Sequence, residues 1–257
     1  MVRAIILSGV LSTMLAGQAV AEQLPAANGP DTNAEHPGGW ELVWSDEFDE
    51  DIIDGSKWGF EVDCWGGGNE ERQCYTSRPE NAFVADGFLN IVARRENAAG
   101  PAYPKHMRAD LPAAERDKQK AQPFTSARLT TKGKADWLYG RFEVRARLPS
   151  GQGTWPAVWM LPTEEAYGAW AASGEIDIME AVNLGTECDT CPDDTENRIY
   201  GTIHYGNEWP RNKYKGQETG LSATDDGFHV FAVEWRQGEI KWIVDGELYS
   251  TLKASDW

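Results

Sequence analysis

The sequence predicts an all-β fold of the sandwich type, and three observations indicate it. From Trp40 onward, short runs of alternating apolar and polar residues are separated by turn residues. The pairs Asp86-Gly87 and Asp245-Gly246 have the composition of two-residue hairpin turns. Helical periodicity is weak everywhere and is suggested only over residues 111–120. About 200 residues is a normal size for one such sandwich, so we expect a single domain over residues 40–257.

The clearest strand lies at residues 141–148, where apolar and charged side chains alternate. One face carries Phe142, Val144, Ala146 and Leu148, and the other carries Arg141, Glu143, Arg145 and Arg147. This period of two predicts a strand with one buried and one solvated face. By contrast, residues 94–124 are polar and contain prolines, and we expect them to form a long surface loop.

The first 39 residues predict an exported protein. Arg3 precedes an apolar run over residues 4–16, and the small residues Ala19-Val20-Ala21 follow. This order is typical of a signal peptide over residues 1–21, and the apolar run is too short to span a bilayer. Residues 22–39 lack periodicity and predict a flexible leader. We therefore expect a secreted or periplasmic protein with no membrane contact after cleavage.

Composition excludes some partners and favours others. The formal net charge of −17 over 257 residues disfavours binding to a phosphate backbone, so we expect no nucleic-acid partner. The 12 tryptophans are more informative, because flat aromatic side chains stack on the apolar faces of sugar rings.

The four cysteines form two local pairs, Cys64 with Cys74 and Cys188 with Cys191. In an exported chain each pair predicts a disulfide that closes a loop. Zinc is the alternative, since Cys188 and Cys191 have ligand-like spacing. The wider spacing of the other pair and a total of four histidines argue against it.

Three carboxylates stand close together in the segment from Gly174 to Glu180. Glu175 and Asp177 alternate with isoleucines and share one face of a strand, whereas Glu180 breaks that parity. A one-residue bulge near Ile178 or Met179 would return Glu180 to the same face. The segment is therefore either a solvated acidic face or an acid/base pair in a groove, since unpaired carboxylates are costly to bury.

Several further segments decide between these readings. They are Trp44-Ser45-Asp46-Glu47-Phe48, residues 81–89, residues 139–145, Gly151-Gln152-Gly153-Thr154-Trp155-Pro156-Ala157-Val158-Trp159-Met160, residues 200–206 and residues 228–235. Together with the acidic segment they make the chain resemble family 16 glycoside hydrolases of the bacterial laminarinase type. The resemblance implies a concanavalin-like β-sandwich, or jelly roll, of two curved antiparallel sheets with a concave substrate cleft. Such domains continue past the hairpin at residues 242–246, so we expect this fold to lack its C-terminal strands.

The resemblance also implies roles for individual residues. Glu175 would be the nucleophile, Glu180 the general acid/base, and Asp177 the residue that tunes their charge. The substrate-binding residues would be Trp155, Trp159, Trp170, His204, Asn81 and Arg128. Each of these has a structural alternative: core packing for the tryptophans, a satisfied structural histidine for His204, a turn former for Asn81 and a surface ion pair for Arg128.

The expected activity is retaining hydrolysis of internal β-1,3 bonds of a glucan, with mixed-linkage β-1,3-1,4-glucan as a second substrate. The alternatives are a non-catalytic β-glucan-binding protein and a hydrolase of a galactan such as agarose. We expect no cofactor. The family's structural calcium is not predicted here, because the segment that helps to hold it is absent. We expect a monomer whose partner is a polysaccharide.

Overall fold

The computed structural model describes residues 39–257. The predicted signal peptide and leader, up to residue 38, lie outside these residues. The described chain divides into a smaller unit, residues 47–131, and a larger unit, residues 39–46 and 132–257. The prediction of one domain over residues 40–257 stays a prediction. Within residues 39–257 no helix is long and apolar enough to cross a bilayer.

The smaller unit consists of short paired strands and two one-turn helices. In chain order they are β1 (Gly59–Phe60), β2 (Gln73–Tyr75), β3 (Ala82–Ala85), β4 (Phe88–Ile91), β5 (Ala98–Pro101), α1 (Lys105–Arg108), α2 (Ala113–Arg116), β6 (Gln119–Gln122), β7 (Phe124–Ser126) and β8 (Leu129–Thr130). The antiparallel pairs are β1 with β8, β3 with β4, and β5 with β6, while β2 pairs with β7 in parallel.

The prediction of a long loop over residues 94–124 is wrong. This segment forms the hairpin β5–β6 with α1 and α2 between its strands. Each helix begins directly after a proline, Pro104 or Pro112, whose fixed φ suits the start of a helix. Four residues are too few to produce a detectable helical period, although α2 does lie within the weakly helical stretch 111–120.

The larger unit contains two four-stranded antiparallel sheets. Its strands are β9 (Gly140–Ala146), β10 (Ala157–Met160), β11 (Glu175–Ala181), β12 (Arg198–Tyr205), β13 (Lys213–Gly220), β14 (His229–Arg236), β15 (Glu239–Val244) and β16 (Glu247–Lys253). Short 3-10 helices lie at Pro192–Asp194 and Ala254–Asp256. One sheet has the order β10-β11-β12-β13 and the other β16-β15-β14-β9. The predicted all-β sandwich architecture is confirmed.

The two sheets of the larger unit pack around a buried apolar core. Its fully buried side chains include Val144, Met179, Ile199, Phe231, Val233 and Trp242. The indole of Trp242, on β15, donates a 2.8 Å hydrogen bond to the carbonyl oxygen of Asp177 on β11. Gly201 on β12 makes room for this ring, since a Cβ there would stand 2.3 Å from Trp242 Cδ1. The central strand of one sheet is thereby tied to the other sheet.

Both predicted hairpin turns are confirmed. Asp86 and Gly87 connect β3 to β4 with φ angles of 55° and 75°, and Asp245 and Gly246 connect β15 to β16 with 49° and 85°. Positive φ at both central positions is the geometry of a type I′ turn, which matches the twist of the flanking strands.

The strand predicted at residues 141–148 is confirmed over residues 140–146 as β9, but its charged face is solvated only in part, because Glu143 is buried. Phe142, Val144 and Ala146 are buried, and so is Glu143, with 8% of its surface exposed. The guanidinium of Arg141 binds Glu143 on one side and Glu234 of β14 on the other, each at 2.9 Å. Charge pairing across the two strands allows this burial, and alternation alone could not reveal it.

Both predicted disulfides are present, Cys64–Cys74 in the smaller unit and Cys188–Cys191 in the larger. The second closes a short loop between β11 and β12.

Candidate active site

The acidic segment forms β11, and a bulge lies inside it as predicted. Asp177 is opposite Thr202 on β12, whereas Glu180 is opposite Tyr200. Three steps along β11 therefore correspond to two steps along β12, which is the count of a one-residue bulge.

The bulge brings all three carboxylates to one face of the sheet. Glu175, Asp177 and Glu180 are opposite His204, Thr202 and Tyr200, and these three partners occupy alternate positions of β12. Residues directly opposite in an antiparallel pair project to the same face, and alternate residues of a strand share a face. On the other side, β10 places Trp159 opposite Asp177 and Ala157 opposite Glu180, with the same parity.

Two tryptophans donate hydrogen bonds to the outer carboxylates. The indole N–H of Trp170, in the turn before β11, binds Oε2 of Glu175. The indole N–H of Trp155, just before β10, binds Oε1 of Glu180 at 3.0 Å. Charge-assisted bonds of this kind stabilise the ionised carboxylate and fix its orientation. Both rings keep exposed surface, 39% for Trp170 and 47% for Trp155, so a ligand can still contact them.

Asp177 is the most buried of the three acids, with 1% of its surface exposed. His204 Nε2 lies 3.2 Å from Asp177 Oδ2. Burial raises the pKa of the Asp177 carboxyl to about 7, and the nearby Glu180 carboxylate adds to this rise. A proton on Asp177 is therefore stable near neutral pH.

The Glu175 carboxyl is perturbed in the same direction. Burial, and after it the negative charge of Asp177, raise its pKa to about 7, although the hydrogen bond from Trp170 and the proximity of His204 oppose the rise. Glu175 and Asp177 thus interact strongly enough to titrate as a coupled pair. Over the pH range where only one of the two carboxyl groups is ionised, the pair holds one proton. The Trp170 bond favours the state with the charge on Glu175.

The remaining predicted binding residues of the larger unit lie beside the acids. Trp159 and His204 occupy the carboxylate face, opposite Asp177 and Glu175 respectively. The ring of His204 lies between those of Trp170 and Tyr214, with centroids 5.5 and 6.0 Å apart. Trp159 lies on β10, whereas Trp155 lies just before this strand.

Asn81 and Arg128 belong to the smaller unit, where their contacts favour the structural alternatives. The fully buried Asn81 amide donates to the Val92 carbonyl and to Thr125, and its oxygen accepts from Thr76. Arg128 forms an ion pair with Glu61 at 3.8 Å and lies over the ring of Tyr75. A substrate role for either residue stays a prediction.

The sequence did not single out several residues of this face. Tyr200, Thr202 and Tyr214 are brought to the carboxylate side by the register of β12 and β13. Tyr214 is 74% exposed, as an aromatic surface for a ligand would be. The alternation of side chains along β12 could have identified Tyr200 and Thr202, since they share a face of the strand with His204.

Two groups among residues 39–257 have donor atoms close enough together to hold a metal ion. They are Glu175, Asp177 and His204, and Cys188, Cys191 and Glu196. In the second group the sulfur atoms are joined in a disulfide, so no thiolate is available as a ligand. In the first group the raised pKa values favour a bound proton over a bound cation.

Comparison with known proteins gives consistent matches. The family model described as glycosyl hydrolases family 16 matches residues 103–257. A glucan endo-1,3-beta-glucosidase A1 of Niallia circulans is 36% identical over 85% of this chain, and a beta-glucanase of Rhodothermus marinus is 43% identical over 82%. The chain spans 30% of the first relative and 64% of the second. The solved laminarinase of Rhodothermus marinus aligns with a TM-score of 0.65 at 42% identity, over 83% of this chain and 75% of its own.

Proposed function

We propose, from the premise that this chain belongs to glycosyl hydrolase family 16, that it hydrolyses internal β-1,3 bonds of a glucan with retention of configuration. Mixed-linkage β-1,3-1,4-glucan is the second substrate that we propose. The observation that carries the proposal is the bulge of β11, which gathers Glu175, Asp177 and Glu180 on one face. An indole donor is bound to each of the two outer acids.

The first step forms a covalent intermediate. The Glu175 carboxylate attacks the anomeric carbon while the Glu180 carboxylic acid gives its proton to the departing glycosidic oxygen. The C–O bond to the leaving sugar breaks as the C–O bond to Glu175 forms. Both acids occupy the same face, so one acetal can lie between them.

The second step releases the sugar. Glu180, now a carboxylate, takes a proton from water, and the resulting oxygen attacks the anomeric carbon and displaces Glu175. Two inversions give net retention. Glu175 and Glu180 return to their starting protonation states, and the chemistry requires no cofactor.

Asp177 acts through its neighbours in this scheme. With its pKa raised to about 7, it can hold the proton of the Glu175–Asp177 pair and leave Glu175 ionised. The indole of Trp170 supports the same distribution by binding the Glu175 carboxylate. His204 is close enough to Asp177 to restrain its orientation.

Several features support a neutral glucan as substrate. The exposed faces of Trp155, Trp170 and Tyr214 suit the apolar faces of pyranose rings. A net charge of −17 disfavours sulfated polysaccharides. The names of the relatives, a glucan endo-1,3-beta-glucosidase and a beta-glucanase, are consistent with this choice. We further propose export, which the two disulfides favour, and action as a monomer.

The test measures reducing ends released from laminarin, a β-1,3-glucan. We expect Glu175→Gln and Glu180→Gln each to lower turnover by several orders of magnitude and to leave glucan affinity largely unchanged. Glu247→Gln is the matched control, because this exposed residue at the start of β16 lies outside the site and should keep wild-type turnover. Laminarin binding without product release by the wild type would favour the glucan-binding alternative.

Azide assigns the two roles. On an aryl β-glucoside whose leaving group departs without protonation, azide should restore turnover of Glu180→Ala and give the β-glycosyl azide, because it replaces water in the second step. In Glu175→Ala, azide should replace the nucleophile itself and give the α-glycosyl azide. The opposite pattern of products would reverse our assignment of the two glutamates.

A further inference from the structure

The smaller unit contains a cavity of about 360 Å³ that the proposed reaction does not use. It lies between the loop closed by the Cys64–Cys74 disulfide and the hairpin β5–β6, whose strands are joined through α1 and α2. Its lining includes Trp65, Gly68, Glu70, Tyr103, Lys118 and Gln119. A volume of roughly 300 Å³ or more is typical of sites for small ligands.

The walls of this cavity are fixed by hydrogen bonds within the unit. The amide of Cys64 donates to the Pro101 carbonyl at 2.8 Å. The Lys120 ammonium donates to the Trp65 carbonyl at 2.9 Å, and the Gln122 amide donates to the carbonyls of Cys64 and Glu71. Alternate side chains of β6 thus hold the stapled loop against the hairpin. A ligand would meet a site that is already formed, which lowers the entropic cost of binding.

The chemistry of the lining suits an uncharged ligand with an apolar face. Trp65 and Tyr103 supply aromatic rings, and Gly68, at φ +81°, places no side chain over the Trp65 ring. The cations of the cavity are already engaged: Lys120 binds a carbonyl, and Lys118 lies 3.5 Å from Glu115. Because Glu70 in the lining and Glu115 beside Lys118 balance the charges of the two lysines, the cavity does not select an anion, and the side chains of Glu70 and Gln119 would serve as hydrogen-bond partners for a neutral ligand.

We propose that this cavity binds a glucosyl unit of a neutral β-glucan chain. A pyranose ring has an apolar face for Trp65 and hydroxyl groups for the polar lining. The identity of the glycan rests on the proposed function. A polymer bound here is held at an additional point, which raises its effective concentration for the rest of the protein.

The decisive experiment is an NMR titration of the full chain carrying Glu175→Gln, which prevents consumption of the ligand. The probe is a β-1,3-linked glucose tetramer. The indole resonance of Trp65 is identified by its loss in the same protein carrying Trp65→Phe. We expect this resonance to shift and to saturate as the tetramer is added. A Trp65 resonance that stays in place while those of Trp155 and Trp170 shift would overturn the proposal.

Affinity electrophoresis in gels containing laminarin gives an independent measure. Adding Trp65→Ala to the Glu175→Gln protein should weaken retardation by about two- to tenfold, the range expected for one aromatic contact. Trp257→Ala is the matched control, since it removes an exposed tryptophan at the last residue and should not change retardation. Equal retardation of both variants would contradict the proposal. The titration decides the question even if Trp65→Ala does not fold.

Failure of this inference can be distinguished from failure of the proposed function. Hydrolysis of laminarin by the wild type tests the function alone. If laminarin is hydrolysed and the Trp65 resonance does not shift, only the carbohydrate site in the smaller unit is refuted. If the resonance shifts and laminarin is not hydrolysed, the site stands and the proposed hydrolysis is refuted.

Discussion

Replacing Trp170 with phenylalanine removes one hydrogen bond from Glu175 and keeps an aromatic ring in the turn before β11. The groups that face Glu175 are the Asp177 carboxyl, the His204 ring and the Trp170 indole. Only the indole contact changes in this variant. The N–H of Trp170 stabilises the ionised form of Glu175, so its loss should raise the pKa of that carboxyl.

The size of the shift follows from the strength of the bond. A hydrogen bond to a charged group contributes about 1.5–3 kcal/mol, and Trp170 is 39% exposed, so solvent screening places this bond at the lower end. One pKa unit corresponds to about 1.4 kcal/mol. The pKa of Glu175 should therefore rise by about one unit. Since the nucleophile must be ionised, the acid limb of kcat/KM should move by about one unit toward higher pH.

The assay is the pH dependence of kcat/KM on laminarin, which reports the ionisations of the free enzyme. Trp209→Phe is the matched control, because it deletes the same N–H from a tryptophan that is 71% exposed. Its acid limb should coincide with that of the wild type. A Trp170→Phe variant that loses activity equally at every pH would refute the reasoning, because Trp170 would then act only by stacking.

Three further predictions concern the site and its support. Asp177→Asn removes one partner of the coupled pair, so the pH titration of the site should lose one of its two ionisations and Glu175 should titrate alone; two ionisations that persist in the variant would contradict the coupling argument. Gly201→Ala places a methyl group against Trp242 and should lower the free energy of unfolding by about 1–3 kcal/mol in thermal melts, whereas Gly55→Ala, with open space around it, should change it little. Finally, the Glu175–Asp177 pair binds protons more tightly in the folded protein than in the unfolded chain, so stability should fall as pH rises from about 4.5 to 7. At pH 8 Glu175→Gln should then be more stable than the wild type by up to about 3 kcal/mol, and equal melting temperatures would refute this.

The sequence predicted the structural features that depend only on residues close to one another in the chain. Asp-Gly turns require positive φ at both positions, and both formed the hairpins expected of them. The parity break between Asp177 and Glu180 predicted the bulge, because only an extra residue returns Glu180 to the face of the other acids. The cysteine pairs were predictable for the same reason, since their partners are near in the chain.

Features that depend on distant partners were not predictable. Burial of Glu143 depends on Arg141, which also reaches Glu234 on another strand. The tryptophans beside the acids were predicted as stacking surfaces, whereas their hydrogen bonds to Glu175 and Glu180 depend on the position of two turns in space. Residues 94–124 were assigned to a loop because their helices are single turns and their strand partners are far apart in the chain, with separations from 18 residues for Pro101 and Gln119 to 24 for Ala98 and Gln122.

The bond between the Trp242 indole and the Asp177 carbonyl has a consequence for how this protein can change. The geometry of the acids is anchored in the apolar interior, on a strand of the opposite sheet. Substitutions around Trp242 should consequently change the catalytic rate although these residues do not contact a sugar. The pH optimum should be easier to shift by substituting Trp155, Trp170 or Asp177 than by changing the backbone of β11. Selection on activity would in this way also constrain a part of the molecule that no substrate ever meets.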